Sequence, residues 1–226
     1  MNNILSANFI HELMESHNMQ QLEIRTASDT DILTDDFDED RMINYHIGPI
    51  TKEWLKARIK YTKHTKKYQN QYENLIVDLL SSIDTMMLIT LQHIIFVEKE
   101  EDIPIICSMM NIDEDEFPSI IDFDSNNILG CHWYQYSSII INMKAIYNTV
   151  CEMQLESEKE VIYFNFDSEM QIGVLTTLTH EIRHLGLSNP FLDANQYPAN
   201  QLTEKAVEQW GIEAYENWKY KKHNNT

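Results

Sequence analysis

The chain has little of several things, and each shortage removes a class of reading. It has three cysteines, Cys107, Cys131 and Cys151, in 226 residues. The number is odd, the spacings are wide and no CxxC occurs. A disulfide framework and a cysteine zinc knuckle are therefore both unsupported, and reduced thiols in a cytoplasm are the plain expectation. Basic residues are also scarce: 17 Lys and Arg stand against 36 Asp and Glu, a formal net charge of -19. That charge repels phosphate backbones and anionic lipid, so neither nucleic acid nor a membrane surface is an expected partner. No apolar run reaches the roughly 18 residues of a membrane span. The opening "MNNILSANFIHELMESH" lacks a basic region and does not read as a signal peptide. Internal repeats are absent.

Two parts are expected. Residues 1–50 read as an N-terminal extension. It has a short amphipathic helix candidate, then an acidic linker, "TASDTDILTDDFDEDRM". The linker lacks the glycine and closing glutamate of a calcium loop and reads as a solvated segment. Residues 51–226 form the main domain, with a helical part over 51–93, a sheet region over 94–143 and two helices over 168–221. The stretch 51–93 has neither Gly nor Pro. Tyr68, Tyr72, Leu75, Ile76, Leu79, Leu80, Ile83, Met86 and Met87 recur there at three- and four-residue steps, as a buried helical stripe requires. Lys52, Lys56, Arg58, Lys60, Lys63, Lys66 and Lys67 read as a solvated face. Strands are expected in "HIIFVEKE", around 128–136 and over 138–143. "KAIYNTVCEMQLESE" returns to helix, and "KEVIYFNF" is either a fourth strand or an apolar approach to the next helix. The fold class is α+β.

The chemistry concentrates in "DSEMQIGVLTTLTHEIRHLG". Asp167 or Ser168 can cap a helix there, Ser168 and Gln171 fit the capping-box spacing, and Gly186 suits a closing left-handed turn. His180 and His184 are four apart, so on a helix their imidazoles share a face and can converge on one ion, which suits Zn²⁺. Glu181 lies one step further round, placed to take a proton from a metal-bound water. A catalytic zinc needs a third protein ligand and an open position. "LTEKAVEQWGIEAYENWKY" reads as a second helix capped by Thr203, with Val207, Trp210, Gly211, Ala214 and Trp218 on its apolar face. It offers Glu204 and Glu208, and helix phase alone does not separate them.

His180-Glu181-Ile182-Arg183-His184 followed by a glutamate on a later helix resembles the gluzincin branch of the zincin metallopeptidases. Small cytoplasmic peptidases of that branch are the nearest analogy. The resemblance spans roughly residues 130–220. It implies a zincin-like domain: a small mixed sheet whose edge strand packs on the active-site helix, and a C-terminal helix bearing the third ligand. "Glu208-Gln209-Trp210-Gly211" fits the family pattern better than the stretch at Glu204. The implied set is therefore His180, His184 and Glu208 on zinc, with Glu181 as general base and Glu204 in reserve. Arg183 departs from the family, which usually has uncharged residues there. The implied activity is hydrolysis of a peptide or protein substrate. An inactive zincin-like interaction module and a closed structural zinc site are the alternatives. "SSIIINM" (137–143) is the best edge-strand candidate. His132, Tyr134, Tyr136, Tyr197 and Tyr215 are all available to stabilise an oxyanion, and none is singled out.

Overall fold

The computed structural model describes residues 46, 49–124, 126–160, 163–189 and 203–224. The expected amphipathic helix and acidic linker of the N-terminal extension lie outside these residues, as does Tyr197. The described fold is mixed α+β, with six α-helices around a four-stranded mixed sheet. In chain order these are α1 (Lys52–Arg58), β1 (Ile59–Tyr61), α2 (Gln69–Leu80), β2 (Ile94–Val97), α3 (Ile103–Met110), β3 (Gly130–Trp133), β4 (Ser138–Asn142), α4 (Met143–Glu160), α5 (Phe166–Leu187) and α6 (Glu204–Asn224). No helix among the described residues is long and apolar enough to cross a membrane.

The sheet order is β1-β2-β4-β3. The first three strands in that order run parallel, and β3 lies antiparallel to β4 at the edge. Alternation along the strands sends side chains to opposite faces. Ile94, Phe96, Ile139 and Ile141 join the main core with α2, α4 and α5. Ile95, Val97 and Ile140 face the other way, into a smaller cluster with Ile106 and Cys107 of α3, Phe117, Ile121 and Trp133.

Two expectations about the elements change, and one stretch left open between two readings is narrowed. The stretch 51–93 is not continuous helix. Ile59 turns extended (φ -77°, ψ 122°), and Ile59–Tyr61 pair with Ile94–Phe96. Pairing with β2 overrides a local pattern that reads as helix. The helix over 69–80 does bury Tyr72, Ile76, Leu79 and Leu80 as its stripe requires. Second, "SSIIINM" is not the edge. Strand β4 is buried along its whole length between β2 and β3, and the edge beside α5 is β3. A run of three isoleucines suits a strand covered on both faces. Tyr163–Asn165 are irregular, so "KEVIYFNF" contributes no strand among its described residues.

His93 precedes β2, and its Nδ1 is buried with no hydrogen-bond partner among the described residues. Burial, with Lys60 and Arg58 adding to it, pushes this imidazole down to about 4. An unfolded chain holds histidine near ~6.5. Between those values the unfolded state binds the extra proton, so stability falls as pH drops from about 6.5 towards about 4 and levels off below. Urea midpoints measured at pH 7 and pH 5 should therefore fall more for the wild type than for His93→Gln. Equal falls would contradict this role for His93.

Candidate metal centre

Helix α5 is the spine of the molecule. It starts where Asn165 accepts a hydrogen bond from the Ser168 backbone N–H at 3.2 Å, with Asp167 and Glu169 in its first turn. The cap is thus Asn165, two residues before the first of the expected caps, because the helix begins at Phe166 rather than after Asp167. Most of α5 is buried, and its threonines are accommodated by bonding back along the helix. Thr176 Oγ1, for example, donates to Ile172 O at 2.8 Å. Gly186 does not end the helix in a left-handed turn. Helix α5 continues to Leu187, and its C-cap Ser188 is right-handed (φ -84°, ψ 0°). Gly186 makes room instead for Met87, whose Cε would stand 2.5 Å from an added Cβ.

The two histidines meet as their spacing requires. His180 Nε2 and His184 Nε2 are 3.1 Å apart, their rings at 64° to one another. The third member is Glu204, the first residue of α6. Its Oε2 lies 3.5 Å from His180 Nε2 and 3.4 Å from His184 Nε2. His180, His184 and Glu204 form the one cluster of metal-ligating side chains found among the described residues. Glu208, which the family pattern favours, is not part of it.

The placement of Glu204 follows from how α5 and α6 pack. The helices run antiparallel and touch closely at Gly211, where a Cβ would lie 3.0 Å from His180 N and 3.2 Å from His180 Cα. Thr179 Oγ1 donates to Gly211 O at 2.8 Å across the same junction. Glu204 is seven residues before Gly211. At about 100° per residue that is nearly two full turns, so both lie on one side of α6. Glu208 is three residues before Gly211 and falls about 60° off that line. Thr203 Oγ1 accepts from the Ala206 N–H at 3.3 Å, as expected of an N-cap, and starts the helix at the glutamate. Arg183 does not point to solvent. It is 6% exposed, and its guanidinium lies 5.5 Å above the Trp210 ring of α6. The charged residue inside the motif thus binds the helix that carries Glu204.

The electrostatics suit a cation. Burial opposes ionisation of Glu204, but hydrogen bonds and charge from His180 and His184 outweigh it and hold the carboxyl well below the usual range. Glu204 is thus an anion beside two imidazoles. The ligand atoms stand 3.1–3.5 Å apart. A tetrahedral ion with bonds of about 2.0–2.1 Å needs its ligand atoms about 3.3–3.4 Å apart. The spacing of the three residues therefore fits one four-coordinate metal ion, and no fourth ligating side chain joins the cluster among the described residues.

Glu181 occupies a different side of α5. It is 6% exposed and faces the edge strand, with its Cγ 3.5 Å from where a Cβ on Gly130 would be. No hydrogen bond or ion pair of its carboxylate is found among the described residues. Gly130 is essential to this approach: an added Cβ would stand 2.7 Å from Thr177 Cγ2 and 2.9 Å from Ile140 O. Thr177 Cγ2 belongs to α5 and Ile140 O to the backbone of β4, so Gly130→Val must displace β3 from one or both. Overpacking of this kind costs about 1–3 kcal/mol, and urea unfolding should show a loss of that size. A variant as stable as wild type would mean that the strand yields freely.

The described candidates for stabilising an oxyanion stand on several elements. Tyr215 is buried in the main core, Tyr136 donates its hydroxyl to Glu116, and Tyr134 is exposed. His132 lies on β3. Comparisons of the chain with protein-family models, curated proteins and solved structures returned no match. The candidate centre therefore rests on its own geometry.

Proposed function

We propose that this chain is a zinc-dependent metallopeptidase of zincin type, with His180, His184 and Glu204 as the metal ligands and Glu181 as the general base. The observation that carries the reading is the three-atom cluster at tetrahedral spacing, two of its members four apart on α5 with Glu181 between them in sequence. Two imidazoles and one carboxylate suit zinc, and three protein ligands leave a position open, as a catalytic rather than a structural site requires.

Zinc held there supplies Lewis acidity towards a carbonyl oxygen and makes a water acidic enough to attack near neutral pH. The chain's own groups do the rest. Glu181 receives the proton at its carboxylate and returns it to the leaving amine. Glu204, fixed at the start of α6, balances part of the charge on the ion. Strand β3 is paired on one side by β4 and packs on α5 through Gly130. An extended peptide added along that edge would pass in front of Glu181.

The test is a peptide-library digestion with chelator-treated protein, repeated after addition of one equivalent of zinc. Cleavage absent after chelation and restored by zinc supports the reading. Tight zinc binding without cleavage of any peptide or protein substrate would sink it.

A further inference from the structure

We propose that the exposed face of α3 docks a basic amphipathic helix of a partner protein. The proposal is independent of the metal centre.

Helix α3 is an unusually apolar eight-residue element, "IPIICSMM", with Pro104 in its first turn and Asn111 closing it in a left-handed cap (φ 57°). Ile106 and Cys107 turn inward and cover the second face of the sheet. The opposite side is left in solvent. Ile105 is 40% exposed and Met109 49%. Ile105 and Met109 are four apart, so they stand on one face, one above the other. Sidedness of this kind is what a helix shows when both faces are covered, yet only one is covered among the described residues.

The rim of this face is acidic at both ends. Glu100 and Glu101 precede α3, and Asp113, Glu114, Asp115 and Glu116 follow it, all exposed. Between Glu98 and Asp124 the sequence holds one basic residue, Lys99. An apolar stripe between two acidic ends selects its occupant. Nucleic acid and anionic membrane are repelled. A helix with an apolar stripe flanked by Lys or Arg is complementary in both respects: its stripe covers Ile105 and Met109 while its charges meet the acidic ends. Met at the centre adapts to partners of differing shape.

The experiment uses the full chain and a labelled peptide of leucine and lysine with leucines at helical spacing, followed by fluorescence anisotropy. A protein this acidic attracts any polycation, so the discriminating variant removes apolar surface and no charge. Ile105→Ser/Met109→Ser should bind the peptide about tenfold or more weakly than wild type. Oligolysine should bind both equally. Glu101→Gln/Glu114→Gln/Asp115→Asn should flatten the dependence on salt. Both side chains are exposed, so thermal melts should match wild type; if the double variant misfolds, Met109→Gln alone serves. Equal binding of the leucine-lysine peptide to wild type and variant would overturn the proposal, as would no binding to wild type. A wild-type dimer in light scattering that the double variant converts to monomer would also overturn it, because the face would then join two copies of this chain.

Discussion

On the proposed function, Glu181→Gln is expected to lower peptide hydrolysis by about 10²–10⁴-fold and to leave zinc binding intact, because the amide cannot accept the proton that a general base must take. The structure separates Glu181 from the ligand set. His180, His184 and Glu204 converge on one point, whereas Glu181 turns towards β3 at Gly130. Loss of turnover with zinc content unchanged is the signature of that separation. Loss of both together would make Glu181 a ligand, and unchanged turnover would remove it from the chemistry. The substitution is nearly isosteric, and no described hydrogen bond of Glu181 is broken by it, so unfolding temperature should hardly move.

Glu204→Ala is expected to weaken zinc binding by at least about 100-fold, since loss of outer-shell partners alone commonly costs 10–100-fold. Glu208→Ala should weaken it far less. The contrast is sharp because the two glutamates are a single helical turn apart on α6 and chemically identical. Glu204 Oε2 reaches both imidazoles, at 3.4 and 3.5 Å, and Glu208 is not part of the cluster found among the described residues. Competition titrations with a chromophoric chelator read both constants directly. The reverse ranking would assign the third ligand to Glu208 and would require α6 to shift by about a turn relative to α5. The contact of Gly211 with the His180 backbone opposes that shift.

How much of this the sequence could carry follows from how far each feature depends on distant residues. The histidine pair was legible because four-residue spacing on a helix is local geometry, and the same holds for the Thr203 cap and for the strands over 94–97 and 138–142. The choice between Glu204 and Glu208 was not legible. It depends on where α6 crosses α5, which Gly211, Thr179 and the Arg183–Trp210 stacking determine together. Gly211 was visible as part of an apolar face, and a glycine on a helix face that must approach another helix was the one available signal. Strand β1 was hidden because Ile59-Lys60-Tyr61 sits inside a glycine-free, lysine-rich stretch whose periodicity is helical on either side. The identity of the edge strand depends on the order β1-β2-β4-β3, which no single strand encodes. Arg183 looked like a departure from the motif. In the fold it is a buried cation over Trp210, tying the ligand helix to the motif helix.

The most direct test of the account is a crystal structure of the zinc-loaded protein, with anomalous data collected on both sides of the zinc absorption edge. The account predicts one zinc per chain, bound within about 2.0–2.2 Å of His180 Nε2, His184 Nε2 and a carboxylate oxygen of Glu204. Glu181 should stand off the ion on the β3 side. A zinc held by Glu208 in place of Glu204, a fourth protein ligand closing the open position, or no zinc at the histidine pair would contradict it.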